Sequence, residues 1–198
     1  MRRTVHGNDS WQTLCLSLLV MLSVVFAGGR QSVAASSAAE LPPVGLPMRL
    51  AIPVIGVDAA VESVGLTSEG LMDVPQNFNE VAWYQLGPRP GEPGNAVIDG
   101  HVDSAVQGTA VFWKLRTLVP GDEIIVTGDN GATQRFVVTG IERYDNMNAP
   151  LARIYGPADG AHLNLVTCDP TSSFDRHLDS YLGSYVIYTD AAAEIPTQ

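Results

Sequence analysis

Cys168 is the only cysteine beyond residue 15, and it ends an apolar run, Leu163-Asn164-Leu165-Val166-Thr167, that Asp169-Pro170 closes. A run of this length and composition reads as a strand. A thiol at a strand end is held by a rigid element and faces the loops where a substrate arrives, which suits a nucleophile. A small apolar filler of the core is the plain alternative. Further on, Arg176 is the only Lys or Arg between Ile154 and Gln198. Such a cation could stabilise negative charge on a thiolate or on an oxyanion formed from a carbonyl; it could equally be a solvated partner of Asp175 or Asp179. His101 follows Ala96-Val97-Ile98-Asp99 through Gly100 and sits in the polar cluster Asp99-Gly100-His101-Val102-Asp103-Ser104, the composition of a site loop. His162 begins the strand that ends in Cys168, roughly 20 Å away along an extended chain and too far for proton transfer. His177 adjoins Arg176 and reads as solvated. An ordinary thiol is only a few per cent ionised at pH 7. Arg176 and a charged His101 would favour the thiolate, whereas Asp99, Asp103, Asp169 and Asp175 oppose it, so the sign of the thiol's shift stays open at this level.

The elements that must position these groups are short and β-like. Met48–Val54, Val57–Val64, Asn95–Asp99, Glu123–Thr127, Arg135–Glu142, His162–Thr167 and Tyr185–Thr189 are Val- and Ile-rich runs bounded by Gly, Pro, Asp or Asn. Ile124-Ile125-Val126, then Gly128-Asp129-Asn130-Gly131, then Phe136-Val137-Val138 predicts a hairpin in which Asn130-Gly131 supplies the positive φ angles. Helical periodicity is confined to a turn or two at Val111–Leu118 and Ala149–Tyr155. Seven or eight strands in about 150 residues imply an all-β barrel or sandwich, and the pattern alone does not separate the two.

Composition narrows the function classes. The chain has 198 residues, 45% of them hydrophobic, so it can bury a core; 19 Gly and 13 Pro fit many turns between short elements. A net charge of −10 repels phosphate backbones and makes nucleic acid a poor partner. Arg2 and Arg3 precede the apolar stretch Leu14–Ala27, followed by the small residues Ser32-Val33-Ala34-Ala35. Residues 1–33 therefore read as a signal peptide or an N-terminal membrane anchor, and both would export the rest of the chain. Residues 34–46 read as a linker, 47–190 as the working domain and 191–198 as a tail. Membrane contact is expected only through the N-terminal segment. No zinc spacing and no phosphate-cradling glycine loop is present, so no metal or other cofactor is expected.

Taken together, Gly100-His101-Val102-Asp103, Leu165-Val166-Thr167-Cys168 and Phe174-Asp175-Arg176 resemble the His, Cys and Arg signature blocks of the sortases, the cysteine transpeptidases of the Gram-positive cell surface. The framework is similar too, in Leu50–Asp58, Gly65–Pro75, Pro90–Asn95, Val111–Leu115 and Pro120–Asp122, so the resemblance runs from about Pro47 to Asp190. The short Cys-to-Arg interval looks most like class F, then class E. Asn164 stands where Thr is common, and Asp169–Ser173 differs from the Gly-containing loop expected there. The resemblance implies a closed β-barrel of about eight strands. It also implies cleavage of a Leu-Pro-x-Thr-Gly-like motif between Thr and Gly in exported proteins, with acyl transfer to an amine of the cell wall or a pilin. On that reading Cys168, His101 and Arg176 are catalytic, and Thr167 and Asp103 bind substrate or support the site. The competing readings are a non-catalytic extracellular β-barrel module and another cell-wall cysteine hydrolase. Papain-like hydrolases place Cys before His, whereas here His101 comes first. L,D-transpeptidases carry an Arg within about two residues of the Cys, where this chain has Asp169 and Pro170.

Overall fold

Strict alternation in Val57-Asp58-Ala59-Ala60-Val61 buries the odd-numbered residues and exposes the even ones, the pattern of a strand with one face on a core and the other in water. The computed structural model describes residues 44–177 and 179–192. The predicted leader, most of the predicted linker and the last six residues lie outside that range. In chain order the strands are β1 (Pro47–Ile52), β2 (Val57–Val64), β3 (Val81–Tyr84), β4 (Gly94–Gly100), β5 (Asp103–Ser104), β6 (Gly108–Thr109), β7 (Glu123–Gly128), β8 (Thr133–Asp145), β9 (Ala161–Cys168), β10 (Phe174–Asp175), β11 (Ser180–Tyr181) and β12 (Gly183–Ala191); α1 (Leu151–Tyr155) is a single short helix.

Eight of these strands close into a barrel in the order β1-β2-β3-β4-β9-β12-β8-β7, with β7 returning to β1. That closure, through pairs such as Leu50↔Val126, decides the barrel-or-sandwich question. The seven strands expected from the sequence are all present, with ends shifted by a few residues. β3 is an addition to them: Val81-Ala82-Trp83 is buried without alternation, so only its pairing, parallel to β2 and antiparallel to β4, reveals it as a strand. The interior is filled by Leu50, Ile52, Ile98, Ile124, Phe136, Leu163, Leu165 and Ile187, all fully buried. Over Val111–Leu118 a 3-10 turn, Leu115–Thr117, replaces the expected α-helical turn. Phe112, Leu115 and Leu118 are all buried, and their three-residue spacing is the one that a 3-10 turn stacks on one side.

The β7–β8 turn corrects another expectation. Gly131 alone takes a positive φ, 76°, and Asn130 does not. Asn130 instead turns its side-chain oxygen to accept from the backbone N–H groups of Gly45 (3.1 Å) and Ala132 (3.1 Å). With Leu46 N–H donating to Asp129 Oδ1 (3.0 Å) and Val44 buried, residues 44–46 lie against this turn.

Outside the barrel, α1 lays Ile154 on Val97, Val186 and Tyr188, with Tyr84, Tyr155, Met72 and Val166 packed around them. Asn164 anchors this cover: its amide donates to Ile154 O (2.8 Å) and Asn95 Oδ1 (3.2 Å). Among the described residues no helix is long and apolar enough to cross a membrane.

Gly100 ends β4 where it meets the Phe112 ring: a Cβ there would lie 2.6 Å from a ring carbon. Gly100→Ala is therefore expected to destabilise the fold by about 1–3 kcal/mol. Urea unfolding checks this; an unchanged midpoint would mean that the ring moves aside freely.

Candidate active site

β4 and β9 run parallel and side by side, with Asp99 opposite Val166. The register ends two residues short of His101 on one strand and of Cys168 on the other, and the two strands lie about 4.8 Å apart. The strand ends stay in contact beyond the last pair, because the buried Thr167 hydroxyl donates to Gly100 O (2.7 Å). Facing follows from the two-residue period. Ala96, Ile98, Leu163 and Leu165 point into the core, while Val97 and Val166 belong to the outer cluster under α1. Asp99 and Cys168 therefore share the outer face, and Thr167 and Gly100 point inward. Gly100 and Thr167, which the sequence separates by 67 positions, touch because the barrel pairs their strands.

His101 is held from the other side. Its Nε2–H donates to Pro75 O (2.8 Å), which fixes the tautomer since a carbonyl only accepts, and the Phe78 ring lies 4.4 Å from the imidazole. Neither Pro75 nor Phe78 stands out in the sequence, because the segment between β2 and β3 carries no motif of its own. Asp103 accepts from Tyr181 Oη (2.9 Å), which ties the loop after His101 to the β10–β11 hairpin. Phe174 packs edge-on against Tyr181 at 5.2 Å and stiffens that hairpin. From it, Ser180 brings its hydroxyl to 3.7 Å from Cys168 Sγ. Arg176 lies exposed in the turn between β10 and β11, and its guanidinium makes no hydrogen bond or ion pair with a described residue. The described contacts thus link Cys168, through Ser180 and its neighbour Tyr181, to Asp103, and Thr167 to Gly100 just before His101, while Arg176 lies in the same hairpin with no described contact to any of them.

Asp169 proves to be an anchor. It is fully buried, and its carboxylate accepts from Thr171 N (2.8 Å) and Thr171 Oγ1 (2.7 Å) and pairs with Arg143. Its own N–H donates to Gly183 O (2.7 Å). Burial works against this carboxylate, but the Thr171 and Arg143 contacts outweigh it and hold the pKa below its ordinary value. His162 braces the far end of β9: its Nδ1 meets Asp190 (2.8 Å) and its Nε2 meets Asp159 O (2.7 Å).

The structure also resolves the sign of the thiol's shift. Burial pushes the Cys168 thiol up, and the charges of Asp99 and Asp103 push the same way; contacts from Ser180 and the Tyr181 backbone oppose them without prevailing. Asp169 and Asp175, two of the acids named from sequence, do not figure among the causes. The resting group is a protonated thiol. Two cavities of about 330 and 320 Å³ open elsewhere on the barrel, and neither is lined by Cys168 or His101.

The comparisons with known proteins agree with this architecture. A family model described as the sortase domain matches residues 50–191. The chain belongs to the sortase family. Its fold is similar to sortase A from Corynebacterium diphtheriae, with a TM-score of 0.57 and 18% identity, covering 81% of this chain and 66% of that one. Sortase C-1 from Streptococcus pneumoniae gives a TM-score of 0.56 at 18% identity, covering 75% and 67% of the two chains. Sortase A from Listeria monocytogenes gives 0.56 at 18%, covering 76% and 88%. Among curated proteins no match was found. At these identities the structural likeness speaks for the fold, a closed and almost wholly β barrel.

The thiol's surroundings yield a direct test. Alkylation of Cys168 by iodoacetamide is expected to rise with pH to a midpoint above the ordinary thiol value. Asp99→Asn should lower that midpoint by removing a negative neighbour, and Ser180→Ala should raise it by removing a hydrogen bond. Mass spectrometry of the adduct across pH 6–10 reads both; shifts in the same direction would refute the assignment.

Proposed function

We propose that this sortase is a cysteine transpeptidase that cleaves a Leu-Pro-x-Thr-Gly-like motif between Thr and Gly in exported proteins and passes the acyl group to an amine. Its reading as class F rests on the short interval between Cys168 and Phe174-Asp175-Arg176. What supports the proposal is the parallel pairing of β4 with β9, whose ends at Gly100 and Thr167 touch and lead directly into His101 and Cys168.

Cys168 Sγ attacks the Thr carbonyl carbon as its proton passes to His101, and the carbonyl π pair moves to oxygen. That pair returns as the C–N bond to Gly breaks, and His101 gives its proton to the departing amine. The thioacyl enzyme remains. An incoming amine then attacks the same carbon and loses a proton to His101; an amide forms, and the C–S bond breaks to restore the thiol. A thiol with a raised pKa ionises only as it reacts, so proton removal by the imidazole belongs to the attack itself. His101 must leave Pro75 O, or work through Nδ1, to take that proton. Arg176, the only cation between Cys168 and the end of the chain, steadies the substrate backbone or the oxyanion from the hairpin tip. Thr167 holds the two strand ends together. Asp103 supports the hairpin through Tyr181.

The partners are exported proteins that bear the sorting motif and an amine acceptor of the cell-wall precursor or a pilin. The enzyme works outside the cytoplasm, held at the membrane by its N-terminal segment or released if that segment is cleaved.

The test is to incubate the full-length protein with Leu-Pro-x-Thr-Gly and Leu-Ala-x-Thr-Gly peptides and an amine acceptor, and to follow products by mass spectrometry. Cleavage at Thr–Gly with amine transfer is expected, abolished by Cys168→Ala, reduced about 10²–10⁴-fold by His101→Ala and at least about tenfold by Arg176→Ala. Full activity in Cys168→Ala would refute Cys168 as the nucleophile, and no cleavage with no adduct on Cys168 would turn the reading to a binding module.

A further inference from the structure

The Cys168 sulfur meets one hydrogen-bonding side chain among the described residues, and it belongs to none of the three blocks read from the sequence. The Ser180 hydroxyl stands 3.7 Å from Sγ, close enough for a hydrogen bond to sulfur. Its other contact is slight: the hydroxyl lies 3.4 Å from Tyr181 O, beyond the usual range of an oxygen–oxygen bond. The mechanism gives this hydroxyl no part.

Ser180 begins β11, opposite Asp175 of β10. Four contacts fasten that strand: Tyr181 Oη donates to Asp103, Asn146 Nδ2 donates to Tyr181 O, Leu182 N–H donates to Ser173 O, and the Phe174 ring packs on Tyr181. Asp179, just before Ser180, holds φ at 48° and is the one described residue other than glycine with a positive φ. An L-residue enters that region at a cost, and stays there where its surroundings fix the backbone. The hairpin thus holds Ser180 at the sulfur.

A hydroxyl has one proton and two lone pairs, so it can serve sulfur in two ways. Beside a thiol it accepts from S–H and turns its own proton to Tyr181 O. Beside a thiolate it turns that proton to the sulfur, and a hydrogen bond to an anion is the stronger of the two. Ser180 and the Tyr181 backbone are the contacts that push the thiol down, against burial, Asp99 and Asp103. Asp99 on β4, Asp103 on β5 and the Tyr181 phenol on β11 are the titratable groups coupled to it. Two are acids, and the phenol proton is committed to Asp103, so none of them relieves a negative sulfur.

We propose that Ser180 is a further catalytic residue, its hydroxyl donating to the Cys168 sulfur whenever the reaction leaves negative charge there, a role that rests on the transpeptidase reading of the site. On that reading charge gathers on sulfur twice. In acylation the thiol proton passes to His101 as a sulfur pair bonds to the Thr carbonyl carbon. In transfer the C–S pair returns to sulfur, and the proton that the amine gave to His101 restores the thiol. Ser180 gives up no proton in either step; its hydroxyl only rotates.

The test compares full-length wild type with Ser180→Ala and Ser180→Thr, which keeps the hydroxyl, after circular dichroism melts confirm that all three are folded. With a Leu-Pro-x-Thr-Gly peptide and an amine acceptor, kcat/KM is expected to fall about tenfold in Ser180→Ala and to stay within about threefold of wild type in Ser180→Thr. Alkylation by iodoacetamide is expected to be slower in Ser180→Ala below the thiol's midpoint. Above it the rates should converge, because the sulfur is then ionised in every variant. A disturbance of structure alone would slow the reaction across the whole pH range. Uniform slowing, equal rates at every pH, faster alkylation of Ser180→Ala at low pH, or a Ser180→Thr as slow in turnover as Ser180→Ala would each overturn the assignment. All four leave the transpeptidase reading in place as long as wild type cleaves the peptide. If wild type cleaves none, that reading falls and the catalytic role of Ser180 with it.

Discussion

The parallel pairing of β4 with β9 is the constraint on which the site depends. Neither strand can pair with the other locally in sequence; each reaches its place only when the barrel closes around them. Once Asp99 lies opposite Val166, the ends of both strands are committed, and the buried hydroxyl of Thr167 on Gly100 O locks the last step. The glycine matters because Phe112 fills the space where a side chain would be. His101 follows Gly100 and Cys168 follows Thr167, so the imidazole and the thiol leave the barrel from these two joined strand ends.

Around that pair the barrel uses buried polar groups to fix position. Asp169 turns the chain immediately after Cys168 and is satisfied by Thr171, Arg143 and the Gly183 backbone. A buried carboxylate so fully partnered is costly to disturb, and it keeps the strand end from drifting. The β10–β11 hairpin is fastened across the site by Tyr181 on Asp103, and it carries Ser180 to the thiol. On the opposite side Pro75 and Phe78 hold the imidazole. Three loops of different origin converge on one strand end, each anchored by a contact remote in sequence.

The electrostatics run against the thiolate. Burial and two carboxylates keep Cys168 protonated at rest.

The sequence by itself determined the strands that have a repeating pattern, the all-β class and the candidates for the reactive groups. Val57–Val64 could be read because its alternation is local, and Cys168 because a lone thiol at a strand end is conspicuous. The resemblance of the three blocks added the closed barrel, which the family match over residues 50–191 supports. The features beyond its reach depend on partners far along the chain. β3 is buried on both faces and is defined by its neighbours. Asn130 keeps a negative φ because its side chain is engaged by Gly45 and Ala132. Ser180 and Pro75 gain their roles only by where the barrel delivers them. The direction of the thiol's shift belongs to this second group as well: sequence names the charges, but burial and the facing of each side chain decide which of them act, and both are properties of the closed barrel.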